Sequence, residues 1–186
     1  MGHDVTDTPV SVLVLPGYAD SGPDHWQTLW ERRHGYVRVE QDDWLMPERD
    51  VWVATLERAV CAASGRVVLV AHSLGCALVA HWARGGSTDR VRAALLVAPA
   101  DIDRVRDELR EVASFAPVPM ARLPFPSVVV ASTTDPFVTT GRARAMAAAW
   151  GARLVDVGDA GHVNADAGIG EWTDGHRLLE ELLPTS

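Results

Sequence analysis

The stretch RVVLVAHSLG, residues 66–75, decides the fold of this chain. Its first five residues form a mostly apolar run that predicts a buried strand, and a helix-like stretch follows it. The small residues Ala71 and Gly75 stand two positions before and after Ser73, which leaves room for a sharp turn from strand to helix. This pattern is typical of a nucleophile elbow, in which the central side chain stands exposed above the sheet. Ala71 occupies a position where the usual pattern has glycine.

Two further residues are predicted to complete a catalytic triad with Ser73. Asp135 follows the apolar run 127–131, and His162 follows the strand-like run 153–157. A serine hydroxyl needs a histidine base and a carboxylate that orients that base. The chain order Ser, Asp, His is the order of α/β-hydrolases. We therefore predict Ser73 as nucleophile, His162 as general base and acid, and Asp135 as the orienting group.

Other residues compete for these roles. Asp101, which follows another predicted strand, could replace Asp135 as the triad acid, but we favour a role as helix cap. His72 neighbours Ser73 on an extended segment, where adjacent side chains point apart, so we expect it to pack or to hydrogen-bond beneath the turn. His25 is predicted either to line the pocket or to make a structural hydrogen bond.

Two backbone amides are predicted to form an oxyanion hole. Leu74 follows the nucleophile at a helix N-terminus, and Tyr18 follows the first apolar run in the segment LPGY, residues 15–18. Gly17 would permit a close backbone approach, although Pro16-Gly17 could also be an ordinary turn. Proximity to predicted strand ends adds possible pocket-lining residues: His25, Trp44, Phe115, Phe137 and Val163.

Apolar runs alternate with amphipathic segments along the chain. This alternation predicts a doubly wound α/β sheet; together with the nucleophile elbow it predicts a three-layer α/β-hydrolase-like sandwich with a mostly parallel central sheet of about six strands and no large cap domain. The prolines in 114–126 predict an irregular connection there, which could act as a short lid. Asp24 and Gln27 have the spacing of a capping box. The predicted strands are 10–15, 36–40, 66–70, 93–98, 128–131 and 153–157. The predicted helices are 24–33, 51–63, 74–84, 102–112, 140–150 and 175–183.

Length and composition narrow the class of protein. A chain of 186 residues with 47% hydrophobic and 23% charged residues predicts one domain over 1–186, with a flexible tail at 1–8. A formal net charge of −8 argues against nucleic-acid binding. The only cysteines, Cys61 and Cys76, lie in apolar helical contexts, so no disulfide framework is expected.

The chain also lacks several diagnostic patterns. Its histidines are scattered, with no His-Glu-x-x-His string, and no Gly-x-Gly-x-x-Gly loop follows the first predicted strand. We therefore predict no metal and no cofactor. No segment approaches the length and apolarity of a membrane span or a secretory signal, so we expect no membrane association and a cytoplasmic location.

The motifs together resemble a known family. The chain is similar to the small, cap-poor serine hydrolases of the retinoblastoma-binding-protein and YdeN type over nearly its whole length. The resemblance implies an α/β-hydrolase fold and the same Ser73, Asp135, His162 triad. Members are esterases or amidases, and animal relatives are associated with protein binding, but no Leu-x-Cys-x-Glu string occurs here. The motifs that carry the resemblance are LPGY (15–18), DHW (24–26), QDDW (41–44) with Pro47, AHSLG (71–75), TDPF (134–137) and GHVN (161–164).

These observations predict a serine hydrolase that cleaves carboxylic esters through an acyl-enzyme on Ser73. The same triad also serves amidases and peptidases, so an amide substrate is the main alternative. A non-catalytic protein-binding module on a hydrolase fold is the alternative of a different class. The expected partner is a small-molecule ester or amide substrate, and the sequence identifies no protein partner.

Overall fold

A computed structural model describes residues 9–184, so the tail predicted at 1–8 lies outside the described residues. The strands of this part of the chain are β1 (Val10–Leu15), β2 (Val37–Arg38), β3 (Arg66–His72), β4 (Val91–Val97), β5 (Ser127–Ala131) and β6 (Arg153–Asp156). They form one sheet in the order β2-β1-β3-β4-β5-β6, and every neighbouring pair is parallel. The predicted parallel sheet is therefore confirmed, and it carries no large cap.

The strands are apolar because both faces of the sheet are covered. Along β3, Val68 and Val70 pack into one core while Leu69 and Ala71 pack into the other. Successive side chains of a strand point to opposite faces, so a strand in the middle of a covered sheet needs apolar residues at every position. This explains why the run before Ser73 shows no polar alternation.

Helices form the two outer layers. They are α1 (Trp26–His34), α2 (Arg49–Ala62), α3 (Leu74–Trp82), α4 (Ile102–Val105), α5 (Thr140–Trp150) and α6 (Thr173–Glu180). Side chains of α2, α3 and α5 belong to one core, and those of α1 and α6 belong to the other. The predicted three layers are confirmed. Over the described residues, every helix is too short or too polar to cross a membrane.

The start of α1 differs from the prediction. His25 is the N-cap, and its Nδ1 accepts a hydrogen bond from the Gln27 amide at 3.2 Å. The Gln27 side chain is fully buried and bonds Ser21 Oγ and the carbonyls of Leu15 and Val70. The predicted capping box of Asp24 and Gln27 is therefore wrong. His25 occupies the N-cap position, and the buried side-chain amide of Gln27 bonds these partners instead of the backbone at Asp24.

The predicted helix 102–112 is also wrong in part. It is split into α4 and a 3-10 helix at Arg110–Phe115. Tertiary hydrogen bonds hold both ends: Asp103 Oδ1 accepts from the Val118 amide at 3.0 Å, and His81 Nε2 lies 2.8 Å from the Phe115 carbonyl oxygen. These contacts outweigh the helical spacing of the apolar residues between them. β2 is shorter than the predicted strand 36–40.

Candidate active site

The turn between β3 and α3 places Ser73 at the carboxyl edge of the sheet. The backbone of Ser73 has φ 55° and ψ −118°, a conformation that residues other than glycine rarely adopt. Close packing against the end of β1 enforces the turn. A Cβ added to Gly75 would lie 2.5 Å from the Leu15 carbonyl oxygen, and one added to Gly17 would lie 2.9 Å from Ser73 Cβ. Both glycines are therefore required by the approach of β1 to this turn.

The three residues predicted as a triad form a chain of hydrogen-bond contacts through His162. Ser73 Oγ is 2.8 Å from His162 Nε2, and His162 Nδ1 is 3.0 and 2.9 Å from the two Asp135 oxygens. The Asp135 side chain is completely buried and that of His162 is 9% exposed. A carboxylate only accepts, so the Nδ1–H of the imidazole donates to Asp135, and with one ring proton Nε2 is left to accept from the serine hydroxyl.

Asp101 does not compete for the histidine. Its Oδ1 accepts from Arg142 Nε at 3.1 Å, and Asp103 accepts from the same guanidinium. Asp101 occupies the N-cap position of α4, but its side chain makes no capping hydrogen bond. The carboxylate is held by Arg142 rather than by the helix amides.

Two hydroxyl side chains after β5 connect the loops that carry Asp135 and His162. Ser132 Oγ donates to the Gly158 carbonyl at 3.0 Å and accepts from the Ala160 amide at 3.0 Å. Thr134 Oγ1 accepts from the Gly161 amide at 3.0 Å and donates to Asp159 at 2.7 Å. Sequence reasoning missed these contacts, and the only signal was a run of hydroxyl residues at a strand end.

The buried rings of His72 and Trp26 contact the backbone of the loop that carries His162. His72 Nε2 lies 2.9 Å from the His162 carbonyl oxygen, and Trp26 Nε1 donates to the Val163 carbonyl at 2.8 Å. Burial lowers the pKa of His72 well below its usual range, with further contributions from the nearby imidazoles of His162 and His25. His72 is therefore neutral, and its Nε2 donates to the carbonyl. It lies beneath the turn, as the sequence predicts.

The two residues predicted to supply the oxyanion donors lie close to Ser73. Tyr18 and Leu74 both line the cavity beside Ser73. Neither amide donates to an acceptor among residues 9–184. The Leu74 amide is the first of α3, where an N–H has no partner within the helix and the helix dipole favours negative charge. The arrangement can therefore stabilise an anion next to Ser73.

The cavity above Ser73 has a volume of about 240 Å³. Of the predicted lining residues, His25 and Phe137 line it, and the Phe137 ring lies 4.6 Å from that of His162. Trp44, Phe115 and Val163 do not. Trp44 and Phe115 pack on Trp52, and Val163 is fully buried in the core that contains α1. Their positions near strand ends did not reveal that their side chains turn into the cores.

Much of the remaining lining is one apolar surface that sequence reasoning missed. We call it the apolar wall; its residues are Ala100, Ile102, Val105, Leu109 and Val112. The helical spacing of the last four was visible in the sequence but indicated only a core-facing helix. Polar groups line other parts of the cavity: Asp20, His25, His72 and Asn164.

Charged groups near the cavity are paired. Arg38 contacts Asp20 at 2.8 Å and Glu31 at 3.0 Å, so the negative charge of Asp20 is balanced by a salt bridge to Arg38. Within residues 9–184, no group of three or more His, Cys, Asp and Glu side chains is arranged to hold a metal ion.

Comparisons with known proteins identify the family and the fold. The family model described as serine hydrolase matches residues 12–181. A YdeN-like hydrolase from Pectobacterium atrosepticum is 34% identical, with a TM-score of 0.82 over 94% of this chain and 93% of that chain. The ydeN gene product of B. subtilis is 21% identical, with a TM-score of 0.75 over 94% and 98%. Est1E from Butyrivibrio proteoclasticus, solved with ferulic acid bound, is 12% identical, with a TM-score of 0.69 over 94% and 89%. The comparison with curated proteins found no match.

Proposed function

Since this chain belongs to the serine hydrolase family, we propose that it hydrolyses carboxylic esters through an acyl-enzyme formed on Ser73. The predicted resemblance to YdeN-type hydrolases is confirmed by the family match and the 34% identical relative. One observation carries the proposal beyond the family: Ser73 Oγ lies 2.8 Å from His162 Nε2, and Asp135 holds the opposite nitrogen.

The proposed reaction has two halves. Ser73 Oγ attacks the ester carbonyl carbon while His162 Nε2 takes the hydroxyl proton, and the carbonyl oxygen becomes an anion beside the amides of Tyr18 and Leu74. The carbon–oxygen bond then breaks, and His162 returns the proton to the departing alcohol. Water, deprotonated by His162, attacks the acyl-enzyme and releases the carboxylic acid and free Ser73. Asp135 stabilises the imidazolium during both halves.

The cavity favours a small ester with an apolar acyl group. Its volume of about 240 Å³ is smaller than that of most ligand pockets, which run from about 300 to 1,000 Å³. The apolar wall offers an acyl chain a surface that needs no hydrogen bonds, whereas the polar lining suits the alcohol. An amide would use the same groups, so an amide is compared with an ester as substrate.

Covalent labelling with a fluorophosphonate probe tests the nucleophile. We expect one probe per wild-type chain, mapped by mass spectrometry to Ser73. Labelling should be absent in Ser73→Ala and slower by at least about 10³-fold in His162→Ala, because each change removes an essential part of the triad. Ser11→Ala and His34→Ala are matched controls at positions outside the cavity and should label at the wild-type rate.

A matched pair of substrates then tests the ester assignment. Wild type should hydrolyse p-nitrophenyl butyrate faster than the corresponding butyranilide. Measurable turnover of the anilide would assign the site to amides as well, because the activated ester is intrinsically the more reactive of the two. A folded wild-type protein that neither labels at Ser73 nor hydrolyses either compound would overturn the catalytic proposal and favour a binding module.

A further inference from the structure

His25 lines the cavity but has no part in the proposed triad chemistry. The residue is only 5% exposed, and its Nε2 is buried without a hydrogen-bond partner among the described residues. A buried polar atom without a partner is costly and calls for an explanation. Here the ring lines a cavity that is proposed to hold substrate, which makes a ligand atom a candidate partner.

The cap of α1 determines which ring nitrogen carries the proton. His25 Nδ1 accepts from the Gln27 amide at 3.2 Å, and a nitrogen that accepts in this way carries no hydrogen of its own. Burial, the Arg38 charge and the His162 imidazole lower the pKa of His25 to about 4, so the ring is neutral at neutral pH. The single ring proton must therefore be on Nε2. The atom without a partner is a donor, and the ligand atom that fits it is an acceptor.

The position of His25 indicates which part of the substrate it would meet. Its ring centroid is 4.8 Å from that of His72, and the His72 centroid is 4.8 Å from that of His162. His162 gives its proton to the departing alcohol in the proposed reaction, so the alcohol occupies the histidine side of the cavity. The apolar wall accommodates the acyl chain, and it contributes no hydrogen-bonding side chain.

We propose that the Nε2–H of His25 binds an acceptor oxygen in the alcohol part of the ester, and so selects esters of alcohols that carry a second oxygen. The inference rests on the proposed function, because it assumes that Ser73 and His162 act on an ester. It adds a substrate class, namely esters of glycol-like or ether-containing alcohols, and a residue that recognises it.

Two esters of equal shape provide the test. 2-Methoxyethyl butyrate carries an ether oxygen where n-butyl butyrate carries a methylene, and the acyl groups are identical. The ether oxygen can only accept, so it matches a donor and no other group. We expect wild type to have a kcat/KM about five- to tenfold higher for the methoxyethyl ester, the effect of one buried hydrogen bond.

Two substitutions of His25 separate recognition from capping. In His25→Asn the side-chain oxygen can still cap α1, because Asn is a good N-cap residue, but nothing extends to the position of Nε2. This variant should keep its stability and lose the preference for the ether. In His25→Gln the longer amide brings an N–H donor near the position of Nε2 but fits the cap poorly. It should lose stability and keep part of the preference.

The outcomes distinguish this inference from the proposed function. If wild type labels at Ser73 but hydrolyses both esters with equal efficiency, the assignment of His25 is wrong and the triad remains. A preference that persists unchanged in His25→Asn would likewise overturn it, because another group would then be the donor. Failure of Ser73 labelling together with no hydrolysis of either ester would overturn the proposed function, and the assignment of His25 with it.

Discussion

The turn at residues 71–75 and the apolar wall both border the cavity, but they are built differently. The turn joins a strand to a helix, and its residues are buried except for the partly exposed Ser73. Glycines at 17 and 75 let β1 approach until no space for another atom remains. The apolar wall lies mainly on a four-residue helix and a 3-10 helix in a stretch where buried and exposed residues alternate.

The difference indicates a division of labour. Atoms that take part in bond breaking must be placed to a fraction of an ångström, and a strand end in a covered sheet provides that rigidity. Atoms that only contact an acyl chain tolerate more variation, because dispersion and burial are not directional. Substitutions in the turn should therefore affect reactivity, and those in the apolar wall should affect substrate choice.

Outside the three residues of the proposed triad, the largest effect is expected from Gly75→Ala. The added Cβ would meet the Leu15 carbonyl oxygen at 2.5 Å, so β1 and α3 must separate and Ser73 must move. A displacement of about 1 Å can cost about 10²-fold in rate, and we expect at least that loss in the rate of fluorophosphonate labelling. Gly141→Ala is the matched control because nothing lies within 4 Å of its added Cβ. Equal labelling by the two variants would contradict a rigid turn.

Acid should weaken the protein through the histidines beside the turn. Burial lowers the pKa of His25 to about 4 in the folded state, against about 6.5 unfolded. Between these pH values His25 is protonated in the unfolded chain but not in the folded chain, which favours the unfolded state. The contribution of the neutral His25 ring to stability is therefore complete above pH 6.5 and is lost as the pH falls towards 4. His25 alone should lower the free energy of unfolding by about 2 kcal/mol between pH 7 and pH 5. His72 acts in the same direction.

Urea unfolding of wild type and His25→Asn at the two pH values measures this effect. The variant should lose about 2 kcal/mol less than wild type over the same interval, because it lacks the titrating ring. Equal losses would mean that His25 is not held neutral in the folded protein. The stretch 102–126 contains no histidine, so the apolar wall should contribute nothing to the difference.

A smaller effect, confined to substrate choice, is expected from the apolar wall. Leu109 is half-buried and lines the cavity, so Leu109→Trp should narrow the space for an acyl chain. We expect kcat/KM for p-nitrophenyl octanoate to fall about tenfold relative to the acetate, while Ser73 labelling by a small probe is retained. Met120→Trp in the same stretch is the control, since Met120 is exposed and lies outside the cavity lining. A parallel loss with both esters would indicate a general disturbance instead.

Sequence reasoning predicted the parts of this molecule that depend on local pattern. The strand before Ser73 is apolar, and the segment 140–150 has the composition of a helix. The structure has both elements. The three residues of the proposed triad were predicted to lie together because strand ends in a parallel sheet meet at one edge, and the structure has them in contact. The direction of a side chain beyond that edge was not predictable. The backbone of Val163 has φ 48°, and its side chain packs in a core. No pattern in the sequence indicates this direction.

The hydrogen bond from His72 to the His162 carbonyl has a practical consequence. It fixes the base through the main chain, so the imidazole keeps its place when the serine hydroxyl is removed. Under the proposed function, a Ser73→Ala protein is then an intact receptor that cannot hydrolyse the ester it binds. Mass spectrometry of this protein equilibrated with a metabolite extract would detect that ester in the complex.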